Sequence, residues 1–310
     1  MATHSSQSQC TFKQAIKERA CELGFDACGM ASAGRVSAEA QRRYSDWIAR
    51  KHHDCMAYAE RYCDVRDDVT LLLPDAKTVI SVALNYYPEA KQRPDVPQIA
   101  YYAYGNDYHE VLRAKLMQLA QFIEQTTGAA TRVCVDTAPI REKYWAQQAG
   151  IGFVGRNNLL ILPGRGSFFF LGEVVTTLEL EPDAPLEMSC GACHRCVDAC
   201  PGGALSLDGD AADASRCLSC QLIERRGDLP EWVAGAKGNR LYGCDECQLC
   251  CPHNANAQPT GETLFAPREE ILNLTASDIA TMTQPEFSRI FAHSAIKRAK
   301  LDGLKRNLGK

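Results

Sequence analysis

The sequence predicts an α/β (α+β) N-terminal domain with a central sheet flanked by helices, then a ferredoxin-like cysteine module, then a short helical C-terminal segment. Three observations predict it. Strand-like and helical periods alternate through residues 10–181, a pattern that folds into helices layered on a sheet. Ten of the 16 cysteines crowd into residues 190–251. Past Pro267 the pattern is helical, with Thr283 and Glu286 spaced as a capping box. The expected boundaries are 10–181, 182–258 and 259–310, the first set by the proline- and acid-rich stretch 181–185.

Each element has its own justification. Residues 11–23 place Phe12, Ile16, Ala20 and Leu23 at helical spacing and stop at Gly24, a C-cap residue. Residues 25–30 read as a short strand, and Ser37 opens a second helix carrying Trp47 and Ile48. Residues 51–73 are polar and irregular, with Met56, Tyr58 and Arg61 embedded. Residues 78–87 are β-branched and aromatic, hence a buried strand. Residues 107–127 are the strongest helix, with Val111, Leu112, Leu116, Leu119, Phe122 and Ile123 on one face and Asp107 as N-cap. A strand at 131–135 delivers Asp136 at its end, and a helix at 141–149 stops at Gly150. Residues 158–162 and 168–180 read as two further strands.

The cysteine module carries the chemistry. Cys190, Cys193, Cys196 and Cys200-Pro201 follow the C-x2-C-x2-C-x3-C-P spacing of iron–sulfur ferredoxins. Three thiolates two residues apart wrap three corners of one cubane, and the fourth, before proline, serves the other cluster. Cys244, Cys247 and Cys251-Pro252 form a second half-motif one cysteine short, for which Cys217 is the natural substitute. The crossed assignment gives Cys190, Cys193, Cys196 and Cys251 to one [4Fe–4S] cluster, and Cys200, Cys217, Cys244 and Cys247 to the other. Cys220 and Cys250 are left over. Structural zinc also uses C-x2-C pairs, but has no need of two crossed C-x3-C-P elements.

Composition narrows the class. The chain has 310 residues, room for more than one core, and a net charge of −4, so no global field attracts nucleic acid. Residues 289–310 nevertheless hold seven Lys or Arg (Arg289, Lys297, Arg298, Lys300, Lys305, Arg306, Lys310) against Asp302 alone. They read either as a phosphate-binding tail or as the solvated face of an amphipathic helix. Residues 1–9 lack the apolar core of a signal peptide, and apolar runs such as 79–84 are too short to span a bilayer. Cysteines in such a chain imply a reducing cytoplasm. Cys10, Cys21, Cys28, Cys55, Cys63 and Cys134 are scattered, and read as ordinary thiols.

Five stretches together resemble the epoxyqueuosine reductase family: 104–109 (YGNDYH), 135–140 (VDTAPI), 149–155 (AGIGFVG), 166–173 (GSFFFLGE) and 238–245 (GNRLYGCD). The resemblance runs from about residue 12 to 308. It implies cobalamin and two [4Fe–4S] clusters, and reduction of epoxyqueuosine in the wobble position of tRNA to queuosine. A related branch comprises reductive dehalogenases. By resemblance Asp136 matches the proton donor, which also faces the cofactor. Arg61, Leu160, Leu171, Ser219, Cys244 and Asp245 match cobalamin contacts. An aspartic acid is ordinarily ionised at neutral pH, so donation needs burial or a nearby negative charge. His109 is not expected to bind cobalt, because position 112 is Leu where a D-x-H-x-x-G motif needs Gly. The chain departs from the family pattern at His53-Asp54 and at Cys220-Gln221, and stops near 308 where longer members continue into a helical extension. The expected partners are tRNA and an external electron donor. Two other readings are a cobalamin/iron–sulfur reductase of small molecules and a plain electron carrier; the latter leaves some 180 N-terminal residues without a purpose.

Overall fold

The computed structural model describes residues 2–209 and 211–309, with side chains from Thr11 onward. Cys10 lies outside the described side chains. The N-terminal half runs α1 (Ala2–Glu22), β1 (Ala27–Ser32), α2 (Ala38–Ala49), β2 (Thr78–Asn85), α3 (Tyr108–Thr127), β3 (Thr131–Cys134), α4 (Glu142–Gln148) and β4 (Phe169–Thr176). The sheet order is β1-β2-β4-β3, and every neighbouring pair is antiparallel. The strand–helix alternation is therefore α+β in detail: all neighbours are antiparallel, and β2 and β3, each antiparallel to the β4 between them, run the same way and are joined through α3. Residues 158–162 contribute only a two-residue strand, Leu160–Ile161, paired with Phe153–Val154.

β2 is central and buried along its whole length, as expected of a strand covered on both faces. Alternation splits its side chains. Ile80, Val82 and Leu84 join Ile16, Leu112, Leu116, Leu119 and Ile123 under α1 and α3. Val79 faces the other way, with Trp145 of α4 and Ala149 just past its end. Each fully buried leucine contributes about 1.5–3 kcal/mol of burial free energy. Asp107 caps α3 by accepting the His109 N–H at 3.0 Å, and Gly128 ends it at φ +71°.

The stretch 181–185 is docked. Asp183 accepts from the Met30 N–H at 2.9 Å and pairs with Lys13 at 2.8 Å and Lys17 at 2.9 Å. Gly150 makes room for it: at φ +69°, a Cβ there would sit 2.4 Å from the Ala184 carbonyl oxygen.

The cysteine module is built of short helical turns, among them α5 (Leu218–Ile223). A polar network seats its second half on the entrance to β4. The Gln248 amide donates to the Ser167 carbonyl at 3.0 Å, and Asn254 accepts the Ser167 N–H at 2.7 Å. The C-terminal residues form short helices ending in α6 (Lys300–Leu308). They pack as a second core, in which Ile271, Phe287, Phe291, Ile296 and Leu304 meet Ile99, Tyr104, Ile223, Leu241 and Tyr242. Buried Asn307 locks the last turn by donating to the carbonyls of Leu222 (2.7 Å) and Leu241 (2.9 Å). At the start of the earlier helix Gln284–Ile290 the Glu286 carboxylate accepts from the Thr283 N–H and hydroxyl, as the capping-box spacing predicts.

Candidate active site

The cysteines fall into two groups. Cys190, Cys193, Cys196 and Cys251 line one small cavity with Asn157, Ile161, Pro252 and His253. The turn closed by the Cys193 N–H on the Cys190 carbonyl presents the first two sulfurs. The helical turn Arg195–Asp198 presents Cys196, and Cys251 arrives from beyond the turn Glu246–Leu249. Arg156 closes the rim: its guanidinium donates to the Gly191 and Cys193 carbonyls, and its N–H points to Cys190 Sγ at 3.4 Å. Cys200, Cys217, Cys244 and Cys247 are the second group. Burial pushes the Cys247 thiol well up, and the charges of Cys244, Cys217 and Cys200 add to that. Sulfurs that raise one another's pKa when apo are what a cationic iron cluster relieves. Both groups fit the two-cluster donor set. Cys250 is close enough to raise Cys196 but does not line the first group's cavity.

Between this module, the sheet and the C-terminal helices lies a cavity of about 820 Å³. Its walls come from Tyr58, Arg61, Tyr62 and Arg66, from Tyr102 and the run Asp107 to Glu110, from Asp136, Thr137 and Pro139, and from Ile223, Glu224, Tyr242, Lys297 and Arg298. That is the upper end of the range for small-molecule sites. Asp136 stands in the wall at the end of β3, in the left-handed region at φ +41°, a conformation uncommon for a residue with a side chain. Two contacts hold it there. Its N–H donates to a Glu142 carboxyl oxygen at 2.6 Å, and its Oδ2 lies 2.9 Å from His109 Nε2. The other ring nitrogen, Nδ1, lies 2.7 Å from Asp107 Oδ1. Burial alone would lower the imidazole pKa; the hydrogen bonds to Asp107 and Asp136 outweigh it and lift it to about 9.

Behind Asp136 are two more carboxyls. Burial, then the Asp136 charge, push Glu142 up to about 8. Glu173 on β4 is fully buried, and neither of its carboxyl oxygens has a hydrogen-bond partner. Burial and Glu142 hold it well above the ordinary carboxylate range. The two acids therefore oppose each other's ionisation.

Comparison with known proteins agrees with this geometry. The family model described as "Epoxyqueuosine reductase QueG, DUF1730" matches residues 66–137, and that of a "4Fe-4S double cluster binding domain" matches residues 189–254. The epoxyqueuosine reductase of Cellulophaga algicola is 40% identical over 294 residues, covering 94% of this chain and 95% of that protein. The chain belongs to the epoxyqueuosine reductase family. Among solved structures, an epoxyqueuosine reductase with an epoxyqueuosine-modified tRNA-Tyr stem loop superposes with a TM-score of 0.87 at 30% identity, over 96% of this chain and 80% of that one. The Bacillus subtilis enzyme, with its catalytic aspartate loop swung out of the active site, gives 0.86 at 29% identity over the same shares.

In this reductase-family chain the large cavity gathers Arg61 and Asp136, while the other expected cofactor contacts lie outside its lining. Leu160 and Leu171 pack with Ala83, Ala146 and Leu162 in an apolar cluster. Ser219 sits in the first turn of α5. Cys244 belongs to the second sulfur group. Asp245 is half-buried, accepts the Tyr101 N–H at 2.8 Å, and is pushed up to about 6 by loss of solvent around its carboxyl. Sequence reasoning missed Glu142, Glu173, Arg156 and the tie of His109 to Asp136. Only the Asp107-x-His109 spacing hinted at any of them.

Proposed function

We propose that this chain reduces the epoxide of epoxyqueuosine, in the wobble position of tRNA, to queuosine. The observation that carries the reading is Asp136, held by His109 and Glu142 in the wall of a cavity bounded by the cluster module. When bound, the two clusters supply single electrons and cobalamin supplies two-electron chemistry at carbon. Cys190, Cys193, Cys196 and Cys251 hold one cluster, and Cys200, Cys217, Cys244 and Cys247 the other. Arg61, Asp136, Leu160, Leu171, Ser219, Cys244 and Asp245 would contact the cobalamin.

The chain's own residues manage protons. Opening the epoxide and losing its oxygen as water takes two electrons and two protons. His109, charged at neutral pH, passes a proton to the Asp136 carboxylate, and Asp136 gives it to the oxygen as the C–O bond breaks, while Asp107 fixes the ring. Solvent reprotonates His109, and the second proton follows the same route. Glu142 holds the backbone of Asp136 so that its carboxyl points into the cavity. Arg61, Arg66 and Lys297 give the wall positive charge for the tRNA backbone. Residues 10–181 form the catalytic domain, 182–258 the cluster domain and 259–310 the helical segment that closes the cavity. No described helix is long and apolar enough to cross a membrane. The enzyme works in the cytoplasm, on tRNA, with an external electron donor.

The test is anaerobic reconstitution followed by incubation with an epoxyqueuosine-bearing stem loop and a chemical reductant. Queuosine should appear by mass spectrometry of the nucleosides. Protein holding about eight iron atoms and bound corrinoid that still makes none refutes the proposal.

A further inference from the structure

Two cysteines left outside the sulfur groups or scattered in sequence meet each other in the fold. Cys55 Sγ lies 3.8 Å from Cys220 Sγ. Asp54 adds a carboxylate oxygen, and the three ligand atoms all lie within 4.8 Å of one another. Among the described residues this is the one such group. Cys220 is buried, and Asp54 and Cys55 are half-buried.

We propose that Asp54, Cys55 and Cys220 form a mononuclear site for a thiophilic divalent cation, with zinc the natural occupant. The spacing favours it. Two sulfurs on one tetrahedral zinc, with bonds of about 2.3 Å, stand about 3.8 Å apart, whereas a disulfide needs about 2.05 Å. Charge favours it too. The Arg225 guanidinium donates to both Asp54 oxygens at 3.0 and 2.9 Å, so that pair is neutral before any ion arrives. Two thiolates then balance a divalent cation. The Gln221 amide donates to Asp54 Oδ2 at 2.7 Å, and the Arg225 Nε–H bonds to the Gln221 oxygen. Such second-layer hydrogen bonds orient a ligating carboxylate. Water completes the tetrahedron on the Asp54 side, where the side chain is 19% exposed.

The site joins two segments that both line the large cavity. Asp54 and Cys55 precede the turn Ala57–Glu60 and Arg61. Cys220 lies on α5, which carries Ile223 and begins just after Cys217. A bound ion clamps the segment bearing Tyr58 and Arg61 onto the cluster module. The inference does not depend on the substrate assigned above.

The experiment uses anaerobically prepared holoprotein with iron measured on every sample. Zinc chloride is titrated against a chromophoric chelator, and zinc per chain is read by mass spectrometry after gel filtration. One zinc per chain with iron undiminished is expected, with two sulfurs at about 2.3 Å by X-ray absorption. Cys55→Ser and Cys220→Ser should each weaken zinc binding at least about 100-fold and leave iron unchanged; Gln221→Leu should weaken it about 10-fold or more. Cys55, outside the cluster module, serves if Cys220→Ser folds poorly. Iron-replete protein that takes up no zinc overturns the proposal. So does zinc retained by both serine variants, or a chain lighter by the two hydrogens of a Cys55–Cys220 disulfide.

Discussion

Replacing His109 with Asn tests the proton-handling reading most directly. The substitution keeps a polar side chain at the start of α3 but removes the ring nitrogen 2.9 Å from Asp136. The size of the effect follows from the electrostatics. With its pKa lifted to about 9, His109 at pH 7.5 is charged roughly 30:1, where an unperturbed imidazole would be charged only about 1:10. The wild type therefore keeps its imidazolium across the neutral range and loses it as pH rises through about 9. A positioned acid–base group contributes about 10²–10⁴ in rate, so the variant should convert epoxyqueuosine about 100-fold or more slowly. It should also lose the alkaline limb near pH 9. The assay is single-turnover conversion of a modified stem loop by reconstituted enzyme from pH 6 to 10, with iron and corrinoid matched between samples. A His109→Asn enzyme that keeps both the rate and the alkaline limb refutes the relay. The same shift bears on stability. A pKa raised on folding contributes stability present in full below the unfolded value of about 6.5 and lost as pH rises through about 9, so the midpoint difference between wild type and variant should shrink above that pH.

Other expectations are as specific. Asp136→Asn should abolish conversion while leaving iron content and tRNA affinity unchanged; retained turnover sinks its assignment as donor. Cys251→Ala should lose one cluster, about four of eight irons, whereas Cys250→Ala should keep all of them by iron and sulfide analysis. Leu116→Ala opens a void in the core shared by α1, α3 and the sheet, and should cost about 2–5 kcal/mol in denaturant titrations of matched samples. For Asp183, burial opposes the charge, but the hydrogen bonds from Lys13, Lys17 and the Met30 N–H prevail and hold its pKa below the ordinary value. Its contribution is present above about pH 4 and lost on acidification, so Asp183→Asn should narrow the stability gap to wild type only at low pH.

How much was legible in the sequence depends on the range over which each feature is specified. The double-cluster module was legible because a cubane imposes a ligand spacing that short loops write directly into the chain. α3 was legible because its cap, its apolar face and its terminal glycine are all local. The antiparallel order β1-β2-β4-β3 was not, since it pairs residue 78 with residue 176, almost a hundred positions away. Asp136 could be named from its motif, but not what holds it: the left-handed turn at that residue brings Glu142 back onto its own N–H. Glu173 sits in a strand pattern that gives no sign of its two unsatisfied oxygens. The C-terminal residues read as a tail because their apolar positions fall in helices of a turn or two, too short to show a period.

The crossed arrangement of the sulfur groups bears on how such a protein is made. Each proposed cage takes its final ligand from the opposite half of the motif, Cys251 for one and Cys200 for the other. Neither can be completed while residues 244–251 are still inside the ribosome. Assembly machinery then meets a chain whose eight thiols must be brought together at once, so a truncated translation product forfeits both inorganic centres together.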